Sequence, residues 1–279
     1  MPTVEANGVK TYYETAGEGP PVVLLHGAGV DGRLWAEQAR PLADDYRLVV
    51  SDLRGHGRTG GSAREAYSID LFADDVRALM EALDLTAPTV VGHSMGAFVA
   101  LVYAARHTDS CAGLVTLGGE VPEPLSLEER LESYRPRVVE ALTPLIGHER
   151  VKRLLRRVNA WRYDDRGKGS PEAIERVYER HGDTVPEQSD IKQEKLDAAL
   201  ADYHDVSVDY SAVSVPSFHL YGEYEIPWVR RHARFMAETL PNGELQEIPD
   251  AGHVSMVDNP EFIVDAIRSF LVKSRACRT

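Results

Sequence analysis

Short apolar runs recur along the chain and alternate with longer segments in which apolar and charged residues follow a helical spacing. The runs favour buried strands and the longer segments favour amphipathic helices. This alternation predicts a mainly parallel central sheet flanked by helices. The expected strands lie near residues 21–25, 47–51, 89–92, 113–117, 216–221 and 244–248. The expected helices lie near residues 34–43, 69–83, 95–106, 228–239 and 260–272.

The first strand-like stretch covers residues 9–13, where β-branched and aromatic residues are frequent. Two glycines and a proline follow within residues 17–20, a composition that is typical of a turn. We therefore expect an opening hairpin that turns at residues 17–20.

Residues 122–210 interrupt the alternation, because they are charged, rich in arginine and helix-forming, with no strand-like run. This segment predicts a helical cap inserted into a core made of residues 1–121 and 211–279. A lid of this kind excludes water from a reaction and shapes a substrate pocket. The expected cap helices lie at residues 127–139, 145–158, 171–180 and 191–200.

Ser94 carries the strongest chemical signal, since it stands between Gly92 and Gly96 in a Gly-x-Ser-x-Gly pattern. An apolar run precedes it and a helix-forming segment follows it, which is the order that a nucleophile elbow requires. A serine hydroxyl becomes a nucleophile only when a base removes its proton and nearby dipoles hold the developing oxyanion. A nucleophilic Ser94 therefore requires a base and an oxyanion hole from other parts of the chain.

The candidate base is His253, which follows Gly252 on a loop after the last expected strand. The candidate oxyanion loop is His-Gly-Ala-Gly at residues 26–29, directly after the strand at residues 21–25. Small residues there allow backbone amides to face a substrate. The expected donors are the amides of Ala28 and Met95.

These features stand in the chain order of oxyanion loop, serine elbow and late histidine, and a fourth segment, Ser-Asp-Leu-Arg-Gly-His-Gly-Arg-Thr, occupies residues 51–59. Together they resemble the α/β-hydrolase superfamily, in the branch of single-domain serine hydrolases with a helical cap. The resemblance covers nearly the whole chain. It implies an α/β-hydrolase fold and a catalytic triad.

The acid of that triad is where this chain departs from the family pattern, which normally has an aspartate after the penultimate strand. The matching position is Glu225, whose carboxylate can accept the Nδ1 proton of histidine in the same way. Glu120 is the alternative acid, because some members of the superfamily draw their acid from the end of the strand at residues 113–117. Glu223 and Asp250 remain as further rivals.

Composition narrows the range of partners. The chain of 279 residues has a formal net charge of -13, which argues against binding to nucleic acid or to an anionic membrane surface.

Cys111 and Cys277 form no disulfide framework, so we expect a reducing, cytoplasmic location. No signal-peptide pattern and no apolar run of membrane-spanning length is present. Neither metal-ligand spacings nor nucleotide-binding motifs occur, so no metal and no cofactor are expected.

The resulting hypothesis is a cofactor-independent serine hydrolase that cleaves a small carboxylic ester or lactone through an acyl-enzyme. Ser94 would attack the carbonyl, His253 would act as the base and Glu225 would hold the imidazole. A carbon-carbon bond hydrolase and a perhydrolase or haloperoxidase-like enzyme are alternatives within the same superfamily. A non-catalytic, ligand-sensing protein is a further alternative. The sequence makes no prediction of oligomeric state.

Overall fold

The computed structural model describes residues 2–61, 67–132, 171–180 and 202–276, together with residues 147 and 150. Its strands are β1 (Thr3–Ala6), β2 (Val9–Ala16), β3 (Pro21–Leu25), β4 (Arg47–Ser51), β5 (Thr89–His93), β6 (Gly113–Leu117), β7 (Ser217–Gly222) and β8 (Gly243–Ile248). Its α-helices are α1 (Ala36–Leu42), α2 (Ile69–Ala82), α3 (Met95–Arg106), α4 (Leu127–Glu132), α5 (Pro171–Arg180), α6 (Pro227–Thr239), α7 (Ser255–Asp258) and α8 (Pro260–Ala276). Four short 3-10 helices span Gly32–Trp35, Thr108–Ser110, Asp202–Asp205 and Tyr210–Ala212.

The strands form one sheet in the order β1-β2-β4-β3-β5-β6-β7-β8. Strands β1 and β2 are antiparallel to their neighbours, while every pair from β4 to β8 is parallel. The prediction of a mainly parallel sheet is therefore confirmed. Parallel strands bring their carboxyl ends to one edge, and the loops that leave this edge form the reactive face of such a sheet.

The expected opening hairpin is wrong in its position. Strand β2 pairs with β1 and β4, and it does not pair with β3 across residues 17–20. The hairpin turns instead at Asn7 and Gly8, whose φ angles of 46° and 71° suit the tight turn between two antiparallel strands. Residues 17–20 connect β2 to β3 past β4, which lies between these two strands in the sheet.

Apolar side chains cover both faces of the sheet. One face packs against α2 and α3, where Phe72, Phe98 and Leu101 are buried. The other face packs against α1 and α8, where Leu42 and Phe270 are buried. Because the central strands are covered on both faces, they are apolar along their whole length, which is the continuous pattern that made them visible in the sequence.

The expected cap segment is helical where it is described. Helix α5 matches the prediction for residues 171–180, and α4 covers the first part of the helix expected at residues 127–139. The remainder of that helix and the helices expected at residues 145–158 and 191–200 lie outside the described residues.

Hydrogen bonds join α4 and α5 of the expected cap segment to the rest of the chain. On α5, the Tyr178 hydroxyl accepts a hydrogen bond from the Asp31 amide at 3.0 Å. On α4, Glu129 accepts hydrogen bonds from Arg231 Nε at 2.8 Å and from His232 Nε2 at 3.1 Å, both on α6. The described parts of this segment are therefore packed on the sheet domain.

Candidate active site

Ser94 lies on the tight turn between β5 and α3. Its φ of 53° and ψ of -121° belong to a region that residues with a side chain rarely adopt, at a typical cost of about 1–3 kcal/mol. A Cβ on Gly96 would lie 2.5 Å from the His26 carbonyl oxygen, and one on Gly92 would overlap the Gly96 backbone. The Ser94 amide donates to the Leu117 carbonyl at 2.9 Å. The two glycines and this hydrogen bond to β6 therefore hold the strained turn.

The imidazole of His253 bridges Ser94 and Glu225. Its Nε2 lies 3.0 Å from Ser94 Oγ, and its Nδ1 lies 3.1 Å and 3.0 Å from the two carboxylate oxygens of Glu225. Because Nδ1 faces an acceptor, it carries the proton, and Nε2 is left to accept from the serine hydroxyl. The Glu225 side chain is fully buried, whereas the His253 side chain is 33% exposed. This arrangement can remove a proton from Ser94 and stabilise the imidazolium that results.

Glu225 is fixed by the turn that follows β7. Its amide donates to the Gly222 carbonyl at 3.0 Å, and its Oε1 accepts from the Ile226 amide at 2.9 Å. Gly118, at the end of β6, has a φ of +57°, and a Cβ there would lie 3.1 Å from both Glu225 Oε2 and His253 Nδ1. The absence of a side chain at Gly118 leaves the room in which the carboxylate and the imidazole meet.

Two opposing influences set the pKa of His253. Burial lowers it, but the charge of Glu225 and the hydrogen bond to it, followed by the charge of Glu120, raise it, and the net shift is upward. An imidazole with a raised pKa is a stronger base toward the serine hydroxyl, although it is protonated at a higher pH than a free histidine.

The His93 side chain holds the backbone of His253. Its Nε2 donates to the His253 carbonyl at 2.8 Å, and the two ring centroids are 5.1 Å apart. Burial, followed by the charge of His253, lowers the pKa of His93 to about 3, so this ring remains neutral. The two residues are 160 positions apart along the chain, so no spacing in the sequence indicated this contact.

The loop at residues 26–29 lies against the serine. A Cβ on Gly27 would lie 3.1 Å from Ser94 Cβ. His26 accepts from the Leu53 amide through Nε2 at 2.9 Å and donates to the Gly27 carbonyl through Nδ1 at 2.7 Å. His26 thus holds the backbone of this loop in place. In the described part of the chain, no residue accepts a hydrogen bond from the amide of Ala28 or of Met95.

The rival acids have other partners. Glu120, after β6, accepts from the Trp228 indole at 3.4 Å. Glu223 accepts from the Asp250 amide at 3.0 Å. Among the described residues, Glu225 is the carboxylate that contacts His253 Nδ1.

The described residues contain neither a metal site nor a membrane-spanning helix. Within residues 2–61, 67–132, 171–180 and 202–276, no group of three or more His, Cys, Asp or Glu side chains is arranged to hold a metal ion. None of the helices in these ranges is both long and apolar enough to cross a membrane.

The sheet order and the strained serine turn define the α/β-hydrolase class of fold. The sequence model of the alpha/beta hydrolase fold family matches residues 20–260, and the chain belongs to this family. It is a hydrolase of that family, with esterases, lactonases and non-heme haloperoxidases among its relatives and structural neighbours.

Two solved structures illustrate the similarity. A thermophilic esterase from Thermogutta terrifontis is 28% identical with a TM-score of 0.71, covering 98% of this chain and 97% of that one. Est816, an N-acyl homoserine lactone degrading enzyme, is 26% identical with a TM-score of 0.72, covering 96% of this chain and 100% of that one. The non-heme chloroperoxidase CPO-A1 of Kitasatospora aureofaciens is 34% identical over 138 residues, which are 49% of this chain and 50% of that protein.

Proposed function

We propose that this chain is a cofactor-independent serine hydrolase that cleaves a small carboxylic ester or lactone. The observation that carries the proposal is the continuous contact from Ser94 Oγ through His253 to Glu225, with distances of 3.0 Å on each side of the imidazole. The similarity to an esterase and to a lactone-degrading enzyme supports the substrate class.

The reaction has two halves. In the first, His253 Nε2 takes the hydroxyl proton while Ser94 Oγ attacks the substrate carbonyl. The tetrahedral oxyanion accepts hydrogen bonds from the amides of Ala28 and Met95. The carbon-oxygen bond to the leaving group breaks as His253 returns the proton to the alcohol, which leaves an acyl-enzyme. In the second half, His253 removes a proton from water, water attacks the acyl carbon, and Ser94 leaves with that proton. Throughout, Glu225 stabilises the charged imidazolium.

Residues 122–210 form the lid in this proposal, and residues 1–121 and 211–279 form the catalytic core. Two anchors support the assignment: Glu129 of α4 with His232 of α6, and Tyr178 of α5 with the Asp31 amide. These contacts tie α4 and α5, the two described α-helices of the segment, to the core.

The test is the hydrolysis of a panel of p-nitrophenyl esters and small lactones by the purified chain, with Ser94→Ala as the matched variant. We expect turnover by the native chain and a loss of about a millionfold in kcat for Ser94→Ala, as for removal of a triad nucleophile elsewhere. Labelling by a fluorophosphonate probe should likewise disappear in the variant. Folded native protein that neither turns over a substrate nor accepts the probe would favour a non-catalytic ligand sensor.

A perhydrolase is a second candidate, favoured by the similarity to the chloroperoxidase. Here hydrogen peroxide replaces water in the second half: its oxygen attacks the acyl carbon, Ser94 leaves, and a peracid is released. Oxidation of bromide in the presence of acetate and peroxide measures this route. If bromination per site exceeds ester hydrolysis, perhydrolysis is the main reaction.

A further inference from the structure

Glu120 lies at the reactive edge of the sheet without a part in the proposed triad. It follows β6 by three positions, and the last residue of that strand, Leu117, accepts the hydrogen bond from the Ser94 amide. Gly118, two residues before Glu120, lies against His253 and Glu225, since a Cβ there would be 3.1 Å from His253 Nδ1. The charge of Glu120 is among the causes that raise the pKa of His253. Glu120 therefore belongs to the surroundings of the serine and does not contact Nδ1 of the base.

The carboxylate of Glu120 has no cationic partner in the described part of the chain. It is half-buried, and its hydrogen bond from the Trp228 indole is long, at 3.4 Å. A partly desolvated carboxylate without an opposite charge is destabilising, because water is lost and no ion pair replaces it. At the reactive edge of the sheet, a cationic group on a ligand would supply the opposite charge that the described residues do not provide.

Aromatic rings stand beside this carboxylate. Trp228 donates to it, and both Trp228 and Tyr203 are partly exposed. The Tyr203 hydroxyl donates to the Val121 carbonyl at 2.9 Å, and its ring packs 4.5 Å from that of Phe98. The Tyr203 hydroxyl thus lies beside the residue that follows Glu120. Burial, followed by the charge of Glu120, raises the pKa of Tyr203. A carboxylate close to aromatic side chains is the chemistry that binds alkylammonium groups.

We propose that Glu120, Trp228 and Tyr203 form a subsite for a positively charged group on the ester or lactone substrate. Glu120 supplies the opposite charge, and the two rings supply a polarisable apolar surface. The substrate class is therefore an ester or lactone with an ammonium or quaternary ammonium group in its acyl or alcohol half. This inference rests on the proposed function, because it assigns specificity to the same Ser94 site.

The test uses matched pairs of p-nitrophenyl and alkyl esters. In the acyl pair, one ester carries a trimethylammonium group at the end of a butyrate chain and the other carries a tert-butyl group in its place. In the alcohol pair, choline butyrate is compared with the ester in which tert-butyl replaces trimethylammonium. Each pair has the same shape, so its ratio of kcat/KM reports the contribution of charge.

We expect the native chain to prefer the cationic member of one pair, and Glu120→Gln to lower that preference by about tenfold. The pair that responds locates the subsite on the acyl or the alcohol side. Glu238→Gln is the matched control, because Glu238 is an exposed glutamate near the end of α6 and its loss changes the net charge by the same amount. This control should leave the preference as it is in the native chain.

A second measurement is inhibition of neutral ester hydrolysis by tetramethylammonium. Glu120→Gln should raise its inhibition constant by a similar factor, and Trp228→Leu should raise it as well. An equal cationic preference in native protein, Glu120→Gln and Glu238→Gln would overturn the subsite, as would no preference in either pair. Failure of the proposed function is distinguishable, since Ser94→Ala would then retain the turnover of the neutral esters.

Discussion

Two neighbouring strands, β6 and β7, end at the same edge of the sheet, and each is followed by a glutamate. Glu225 is buried and shares its oxygens between His253 Nδ1 and the Ile226 amide. Glu120 is half-buried and accepts from an indole at 3.4 Å. The two carboxylates thus have the same chemical nature and topological setting but different contacts. The turn that carries each glutamate therefore determines which groups its carboxylate contacts.

The largest expected difference between the two acids is in turnover. Glu225→Gln should lower kcat by about a thousandfold to ten-thousandfold, because an amide cannot stabilise the imidazolium and can favour the wrong tautomer of His253. Glu120→Gln should lower kcat on a neutral ester by less than about tenfold, since it removes only a longer-range charge effect. Steady-state hydrolysis of p-nitrophenyl butyrate measures both. The reverse ranking would assign the triad acid to Glu120.

The dependence of kcat/KM on pH also distinguishes Glu225 from Glu120. The base must be neutral to act, so kcat/KM declines as the pH falls through the pKa of His253, which the carboxylates raise. Removing either negative charge lowers this pKa and moves the acid limb to lower pH. We expect the larger displacement for Glu225→Gln and the smaller for Glu120→Gln. A limb that moves to higher pH in either variant would contradict this electrostatic account.

Substitution of His93 tests whether the contact with Glu225 is enough to hold the His253 imidazole in position. His93→Ala removes the hydrogen bond to the His253 carbonyl, and the looser imidazole should lower kcat by about tenfold. The acid limb should stay in place, because Nδ1 keeps its carboxylate partner. Kinetics of His93→Ala and His93→Gln across the pH range provide the check, with partial recovery expected for Gln. Native turnover by His93→Ala would mean that Glu225 alone positions the base.

The smallest expected effect is on stability, and its sign differs between the two acids. Glu120→Gln should raise the free energy of unfolding by about 0.5–1 kcal/mol, because a half-buried charge without an ion-pair partner is removed. Glu225→Gln should lower it by about 1–2 kcal/mol, because a charge-assisted hydrogen bond to His253 is weakened. Urea unfolding measures both. A destabilised Glu120→Gln would show that the carboxylate stabilises the fold.

The sequence alone predicted the features that are encoded by residues close together along the chain. Ser94 could be identified because the elbow is defined within five consecutive residues, from Gly92 to Gly96. The apolar strands could be located because burial on both faces leaves a continuous run. The opening hairpin was misplaced, because strand pairing is not local and β4 lies between β2 and β3.

The surroundings of the acids were harder to predict. The family pattern favoured Glu225 over Glu120 as the acid, but the contact of Glu225 with His253 could not be read from the sequence. Trp228 is 108 positions from Glu120 along the chain, and Tyr203 is 82 positions from Val121. Contacts over such separations arise from packing, so no local spacing in the sequence indicated them.

The strained backbone of Ser94 has a consequence for how preparations of this protein are judged. The turn is held by Gly92, Gly96 and the hydrogen bond to Leu117, all of which require the assembled sheet. An unfolded chain releases the strain and separates the hydroxyl from its base. If Ser94 is the nucleophile that we propose, its covalent labelling counts folded molecules and reports the active fraction of a sample independently of total protein.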